Sequence, residues 1–229
     1  MIFYICQTLS ERYLRKNATI SKWVAIGKDD LLAEIEETYT SEGRKICIHG
    51  KGYEDLMVFD NQRNSFANRL QNNELVPWDI FTEGIKTGAT LTRGVKVKGF
   101  LQSYIYDVFQ YKGNIYSCYE VGFGNKGIYI CFYKNSELVA VVDKQLRVVN
   151  FQDKYTCYLL NEEDYPAVMA YTIQYDSNKF FADTEDNHYY TVQNHRLNTI
   201  QKEVLAKYDA TFIDKVKSME PDERKAENA

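Results

Sequence analysis

The chain has 229 residues, three prolines and a formal net charge of −4, with acidic and basic residues mixed along its length. This length accommodates one large domain or two small ones, and so few prolines provide no Pro-rich linker between two modules. The charge balance argues against a general nucleic-acid-binding protein, which would normally carry a strongly basic face. We therefore expect one domain and no nucleic-acid partner.

The aromatic residues are 19 tyrosines and 12 phenylalanines against only 2 tryptophans. Tyrosine and phenylalanine favour half-buried pleated surfaces, so this composition favours a β-rich domain. The five cysteines are far apart and include no CxxC pair, which is typical of a reducing compartment. The short apolar segment Ile2 to Cys6 lacks the flanks of a signal peptide, and no run of 18 apolar residues would form a membrane-spanning helix. We expect a cytoplasmic protein.

The first 94 residues predict mixed structure. Strands are expected at Ile2–Cys6, Ile20–Ile26, Lys45–His49 and Leu56–Phe59. A helix is expected from Lys28 to Tyr39, because Asp29 or Asp30 can cap it and Leu31, Leu32, Ile35 and Tyr39 share a helical face. Gly43 would end that helix. Residues 61–75 predict a loop.

From residue 95 the pattern predicts short strands that follow one another at a spacing of about ten residues. Val95 to Lys98 alternates apolar and basic residues, as a half-exposed strand does. The further strands are expected at Tyr104–Tyr111, Ile115–Val121, Ile128–Tyr133, Leu138–Val142, Leu146–Phe151 and Tyr155–Leu160. This spacing indicates an antiparallel meander or barrel.

The segment Tyr165 to Tyr175 is apolar or aromatic at nearly every position. Glu162 to Asp164 and Pro166 favour a helix start here, and such a helix would be buried on all sides. A buried strand is the alternative.

The rest of the chain predicts a polar loop at Asp183–Asn187, a short strand at Tyr189–Val192 and an amphipathic helix from Asn198 to Ser218. Residues 219–229 predict a charged tail. The expected division is thus one domain over residues 1–218, least clearly patterned in residues 1–94, followed by the tail.

A glycine motif and a cysteine–histidine pair are each typical of a functional site, but a structural role explains each of them better. Gly122 to Gly127 has the letters of a dinucleotide-binding loop, but a strand follows where that loop needs a helix, so a hairpin turn is expected. Cys47 and His49 share a strand face, yet neighbours at i and i+2 stand too far apart for a nucleophilic pair. We expect an inward core cysteine and a histidine near a turn.

The acidic segment Asp183, Glu185, Asp186 and His188 lacks the glycine and the bidentate glutamate of a calcium-binding loop. His188 and His195 have no cysteine or carboxylate at zinc-ligand spacing. We expect no metal, no cofactor and no catalytic residue that sequence alone identifies.

Arg93, Lys96 and Lys98 form the one candidate binding site. Lys96 and Lys98 alternate with valines and so share a strand face, and Arg93 is close by. Charge-assisted contacts would bind a small anion or a lipid headgroup there. An ordinary solvated face is the simpler alternative.

The stretch from Cys118 to Asp176 resembles the tubby C-terminal-like superfamily, which includes the LURP-one-related proteins and phospholipid scramblases. The segments that show the resemblance are CYEVGFGNKGIYICFYKN, ELVAVVDKQLRVVN, DKYTCYLL and YPAVMAYTIQYD. The later segment KYDATFIDKV is similar to a tail of some bacterial members. The resemblance covers about half of the chain.

The resemblance implies an α+β fold that is mainly antiparallel β: a closed or near-closed barrel around a central apolar helix, here with an additional amphipathic C-terminal helix. It also favours a non-enzymatic binding or scaffold protein that recognises anionic lipid headgroups. An enzyme whose site assembles only in three dimensions, or a protein-interaction module that uses the C-terminal helix, stays an alternative.

Overall fold

The computed structural model describes residues 1–10, 19–28, 30–40, 43–60, 75–96, 103–150, 152–180, 192–193 and 198–220. Twelve consecutive strands form the body of the molecule. They are β1 (Ile2–Ser10), β2 (Thr19–Ile26), β3 (Leu31–Tyr39), β4 (Gly43–Gly50), β5 (Tyr53–Asp60), β6 (Leu75–Thr82), β7 (Ile85–Lys96), β8 (Ser103–Tyr111), β9 (Asn114–Gly124), β10 (Ile128–Lys134), β11 (Glu137–Lys144) and β12 (Lys154–Leu159).

Each strand pairs antiparallel with the next, and β12 returns to pair with β1, so the sheet closes on itself. The closing register places Phe3 opposite Cys157. Closure removes the unpaired edges that an open sheet would present. The expected closed antiparallel barrel is therefore confirmed.

Tight turns set the register of three neighbouring pairs. Residues at Glu83–Gly84, Lys112–Gly113 and Asn135–Ser136 all have positive φ. Positive φ at both central positions is the geometry of a type I′ turn, whose twist matches that of the flanking strands. At Gly113 an added Cβ would meet no atom within 4 Å, so the φ of +82° rather than space is what favours glycine there.

A helix, α1 (Tyr165–Lys179), lies inside the barrel. Eleven consecutive residues of α1, from Ala167 to Ser177, are buried. The helix shares one hydrophobic cluster with inward residues of the strands, including Phe3, Ile48 and Phe132. A helix enclosed by a sheet buries every side, which explains why its sequence has no polar face. The expected central apolar helix is confirmed.

Polar contacts tie α1 to the barrel along its length. The hydroxyl of Tyr116 donates to Asp164 just before the helix at 2.6 Å, and Thr90 donates to Gln174 at 2.6 Å. Because a buried polar group without a partner costs free energy, such contacts fix the depth and rotation of the helix in the barrel.

The C-terminal part of the chain covers one side of the barrel from outside. A two-residue strand, β13 (Val192–Gln193), pairs with the end of β9. Two helices follow, α2 (Asn198–Leu205) and α3 (Ala210–Met219). Their residues Val204, Phe212 and Val216 are buried against outward residues of β9–β12, namely Val121, Cys131, Val141 and Tyr158. We call the outer faces of β9–β12 the covered wall.

The outer faces of β3–β6 form a second region, the bare wall. Within the part of the chain that the structure describes, neither α2 nor α3 contributes to a cluster with these strands. Outward residues such as Glu34, Cys47 and Leu56 are exposed or half-buried there, whereas the inward Ile46 and Met57 are fully buried.

Two expectations about single elements were wrong, and a third was right only in part. The segment expected to be a helix from Lys28 to Tyr39 contains β3, because Ala33, Ile35 and Glu37 alternate into the barrel. No strand forms over residues 146–150, where Arg147 and Val149 are single bridge residues and Val149 pairs with Gln152; Phe151, the last residue of the expected strand, lies outside the described residues. The expected amphipathic C-terminal helix is confirmed, but it consists of two consecutive helices, because the Asp209 side chain accepts from the backbone of Thr211 at 2.9 Å and caps the second one.

Other expectations lie partly or wholly outside the described residues. These are residues 61–74 of the expected loop, Asp183–Asn187, 189–191 of the expected short strand, and 221–229 of the tail. Within the described part, the sequence also failed to predict β6 and the first ten residues of β7.

Candidate functional site

Three tyrosines form a continuous belt across the outer faces of β8, β9 and β10. The rings of Tyr106 and Tyr119 stack with their centroids 4.9 Å apart, and the ring of Tyr133 meets that of Tyr119 edge-on at 5.6 Å. All three side chains are half-buried; Tyr119 and Tyr133 belong to the covered wall, and Tyr106 lies next to it on β8. We call Tyr106, Tyr119 and Tyr133 the tyrosine belt.

Two cations lie beside the tyrosine belt. Arg93 of β7 is the register partner of Tyr106 and is exposed, and residues directly opposite on neighbouring strands share a face. Lys207, which follows α2, places Nζ 4.8 Å from the ring centroid of Tyr119 and 5.7 Å from that of Tyr133. Since neighbouring strands are about 4.8 Å apart, the surface from β7 to β10 spans about 15 Å.

A backbone contact fixes the position of Lys207. The hydroxyl of Tyr133 donates to the Lys207 carbonyl at 2.9 Å, which holds the end of α2 against β10. The lysine ammonium over two aromatic faces is a cation–π arrangement. The residues that follow α2 therefore form part of this surface.

Neither Arg93 nor Lys207 forms an ion pair with another residue in the described ranges. Other cations of the barrel are paired: Lys22 with Glu36 at 3.5 Å, Lys86 with Asp79 at 2.7 Å and Lys134 with Asp164 at 3.0 Å. Within the described residues, no salt bridge therefore neutralises Arg93 or Lys207.

The phenols of Tyr119 and Tyr133 are uncharged at neutral pH. Burial, followed by the neighbouring Tyr106 and Tyr104, raises the pKa of Tyr119 to about 12. Burial is also the main cause that raises the pKa of Tyr133. The surface thus combines two cations with neutral hydroxyl groups, and the carboxylate of Asp209 lies close enough to Tyr133 to raise its pKa as well.

The structure tests the sequence-predicted binding residues only in part. Arg93 lies exposed on β7, as a surface site requires. Lys96 is the last residue of β7, but its side chain lies outside the described set, and so does the whole of Lys98. The grouping of all three stays a prediction. Sequence reasoning missed the tyrosine belt, and the only signal for it was the spacing of Tyr104 and Tyr106 on one strand face.

Cys47 and His49 lie in a shallow groove of about 310 Å³ on the outside of the barrel, beside Lys22, Glu34 and Glu36. The expectation that the cysteine points inward was wrong, because Ile46 and Ile48 occupy the inward positions of β4. Burial raises the pKa of Cys47, and the carboxylates of Glu36 and Glu54 raise it further. This thiol is therefore protonated at neutral pH, and a thiolate nucleophile is disfavoured.

A larger groove of about 590 Å³ lies on the bare wall. Its floor is apolar, with Leu56, Val58 and Phe81, and its rim carries Glu54 and Glu83. An acidic rim does not attract an anion, so this groove does not fit the expected ligand.

The glycine motif from Gly122 to Gly127 forms a hairpin, as expected. It joins β9 directly to β10, and Gly124 has a φ of +65°. No helix N-terminus follows these glycines, which a dinucleotide-binding loop would need.

Among the described residues, no group of three or more histidine, cysteine, aspartate or glutamate side chains is arranged to hold a metal ion. The acidic segment Asp183, Glu185, Asp186 and His188, together with His195, lies outside the described residues. None of the described helices is long and apolar enough to cross a bilayer.

No protein-family model matches the sequence, and no curated protein or solved structure is significantly similar to it. The kinship with tubby C-terminal-like proteins therefore stays a prediction. What the structure shows is the architecture: a closed twelve-stranded antiparallel barrel with a helix inside and helices packed outside.

Proposed function

We propose that this protein is a non-enzymatic binding protein that recognises anionic lipid headgroups through the tyrosine belt and the two cations beside it. The observation that carries the proposal is the tyrosine belt itself, flanked by Arg93 and Lys207, neither of which is paired within the described residues. The sequence resemblance of the stretch from Cys118 to Asp176 to tubby C-terminal-like proteins favours the same ligand class.

The chemistry of the surface suits the interface between headgroups and water. Tyrosine rings have an apolar body and a polar tip, and they are enriched where one end of a side chain is wet and the other is not. An arginine offers paired donors to a phosphate, and a lysine offers a compact charge. Each cation close to an anionic surface contributes about 1 kcal/mol.

Two alternatives are less well supported. A protein-interaction module that uses the C-terminal helix would need that helix to be free, whereas α2 and α3 bury Val204, Phe212 and Val216 on their own barrel. A thiol enzyme at Cys47 would need a lowered thiol pKa, and the pKa is raised.

The test is sedimentation with vesicles of phosphatidylcholine alone and of phosphatidylcholine with phosphatidylserine. We expect binding only to the anionic vesicles, and weaker binding as salt rises, because screening shortens the reach of surface charges. Arg93→Glu and Lys207→Glu should each weaken binding by about tenfold or more, since each replaces an attraction by a repulsion. A Lys96→Glu/Lys98→Glu pair tests the remaining residues of the predicted site.

The matched control is Lys45→Glu, which makes the same charge change on an exposed outward residue of the bare wall. It should leave binding to anionic vesicles nearly unchanged. Equal loss in Lys45→Glu and Arg93→Glu would show that only net charge matters. Absence of salt-sensitive binding to anionic vesicles would reject the proposal.

A further inference from the structure

A lysine and two aspartates are buried together inside the barrel, close to the end of α1. Lys144, the last residue of β11, is 1% exposed, and its Nζ forms an ion pair with Oδ1 of Asp153. The same Nζ lies 3.9 Å from Oδ1 of Asp176 on α1. Asp153 is 5% exposed and Asp176 is 0% exposed.

Aromatic rings surround the lysine ammonium. Nζ lies 4.5 Å from the ring centroid of Tyr155 and 4.4 Å from that of Phe180. The Tyr155 hydroxyl donates to Oδ1 of Asp176 at 2.6 Å. Burial, with the charges of both aspartates, raises the pKa of Tyr155 well above its ordinary value. Water is thus largely excluded from the three charged groups.

Hydrogen bonds hold Asp153 in place beside Lys144. The backbone nitrogen of Gln7 donates to the Asp153 carbonyl at 2.9 Å, and the backbone nitrogen of Asp153 donates to Oε1 of Gln7 at 3.1 Å. Lys144 is itself the register partner of Tyr155, two residues after Asp153. Groups held in contact in this way react as though at very high concentration.

We propose that Lys144 and Asp153 form an intramolecular isopeptide bond, with Asp176 carrying the proton between them. The physical drive is the removal of charge from a dry site. The free energy needed to remove an ammonium and a carboxylate from water can exceed the free energy gained by their attraction. An amide is neutral and needs only hydrogen-bond partners.

The step balances without an oxidant or a co-reactant. The ammonium of Lys144 gives a proton to the Asp153 carboxylate, and the neutral amine attacks Cγ to form a tetrahedral intermediate. Asp176 takes a proton from the nitrogen and delivers it to the departing hydroxyl. The C–O bond breaks, one water leaves, and Asp176 returns to its starting state. An ammonium and a carboxylate become one secondary amide and one water.

Asp176 is suited to the proton transfer by its position. It is the one acidic side chain of α1 that the structure places beside the pair, and Tyr155 fixes its carboxylate by a hydrogen bond. An unfixed carboxylate would sample many orientations, while this one faces the reacting nitrogen.

Intact-protein mass spectrometry of the full chain, denatured after purification, tests the proposal. We expect a mass lower than that of the sequence by one water. After tryptic digestion, a branched peptide should join residues 135–147 to residues 148–154, with no cleavage after Lys144. An intact mass equal to that of the unmodified sequence would overturn the proposal.

The chain contains a matched internal control. Lys134 and Asp164 form an ion pair at 3.0 Å, but the Lys134 side chain is 19% exposed. The same peptide map should show these two residues unlinked. A cross-link at both pairs would refute exclusion of water as the cause.

The variant Asp176→Asn tests the proton carrier and retains the size of the side chain. We expect this variant to keep the full mass of its sequence while native-like Trp fluorescence reports a folded barrel. Complete loss of water in a folded Asp176→Asn protein would show that Asp176 has no part in the reaction. If Asp176→Asn does not fold, the variant Tyr155→Phe replaces it as the test, because it removes the hydrogen bond that fixes the Asp176 carboxylate. Tyr155→Phe should slow the loss of water in freshly made protein. An unchanged rate would show that Asp176 has no part in the reaction.

Discussion

The covered wall and the bare wall belong to one barrel, yet their strands bury different faces. On the covered wall, β11 carries four consecutive buried residues, from Val139 to Val142, because α1 lies inside and α2 and α3 lie outside. On the bare wall, β3 alternates buried Ala33 and Ile35 with the more exposed Glu34 and Glu36. A continuous apolar strand thus indicates that a helix packs on the outer face of the barrel, whereas an alternating strand indicates that the outer face contacts solvent.

The largest expected difference between the two walls comes from placing a charge on each. Val141→Asp puts a carboxylate among the buried apolar side chains beneath α2 and α3 and should lower the free energy of unfolding by about 4 kcal/mol. Leu56→Asp puts the same carboxylate on the half-exposed outer face of β5 and should cost about 1 kcal/mol. Urea unfolding followed by fluorescence of Trp23 and Trp78, both buried inside the barrel, measures each effect. Similar losses in the two variants would remove the distinction between the walls.

The next effect tests whether the covering helices stabilise the barrel itself. Phe212→Ala removes a buried ring of α3 and should cost about 3 kcal/mol. Met219, in the same helix, is 56% exposed, so Met219→Ala should change stability by less than about 0.5 kcal/mol. Because both tryptophans lie in the barrel, a shift in the fluorescence transition reports barrel unfolding, while circular dichroism also reports the helices. A Phe212→Ala shift seen by circular dichroism alone would mean that the covering helices unfold independently.

How much of the fold the sequence predicts differs between strands of one wall: β4 and β5 of the bare wall contain predicted strands, whereas β3 and β6 do not. The sequence predicts strands β8–β12, because aromatic and β-branched runs separated by turn residues are typical of strands. It also predicts one strand too many, between β11 and β12. The sequence does not predict β3, because its apolar residues Leu31, Leu32, Ile35 and Tyr39 also match a helical spacing. The buried Glu37 further conceals the alternation of apolar and polar residues that is typical of a strand. Pairing with β2 and β4, which the sequence does not display, decides between the two.

The candidate site was predictable only as far as its local charge. Arg93 could be found because it lies beside two lysines in one short segment. The tyrosine belt could not, because it depends on the register of three strands and on Lys207, whose carbonyl contacts a tyrosine 74 residues earlier in the chain. Contacts of this kind arise from closure of the barrel rather than from any local pattern.

Thiol labelling compares the opening of the two walls in the native state. Cys47 is half-buried on the bare wall, whereas Cys131 lies beneath the helices and burial raises the pKa of Cys131 to about 12. We expect a maleimide to modify Cys47 at least about 100-fold faster, which corresponds to about 2.7 kcal/mol. Peptide mapping after timed labelling gives both rates from one sample. Cys157, inside the barrel, is the control: faster labelling of Cys131 than of Cys157 would show that the helices open while the barrel stays closed.

The smallest expected effect is a pH dependence at the edge of the covered wall. Burial raises the pKa of Asp143 from 3.8 to about 6, although the positive charge of Lys217 opposes the shift. The folded protein therefore binds this proton more tightly than the unfolded chain, so the contribution to stability is complete below about pH 4 and is lost as pH rises through about 6. The side chain is partly exposed, and solvent screening reduces the contribution to about 1 kcal/mol. In Asp143→Asn, the free energy of unfolding should fall less between pH 4 and 7 than in the parent protein, whereas Asp214→Asn, on the exposed side of α3, should leave that fall unchanged. A parent and an Asp143→Asn variant with the same pH profile would show that water reaches this carboxylate freely, and hence that the cover ends before it.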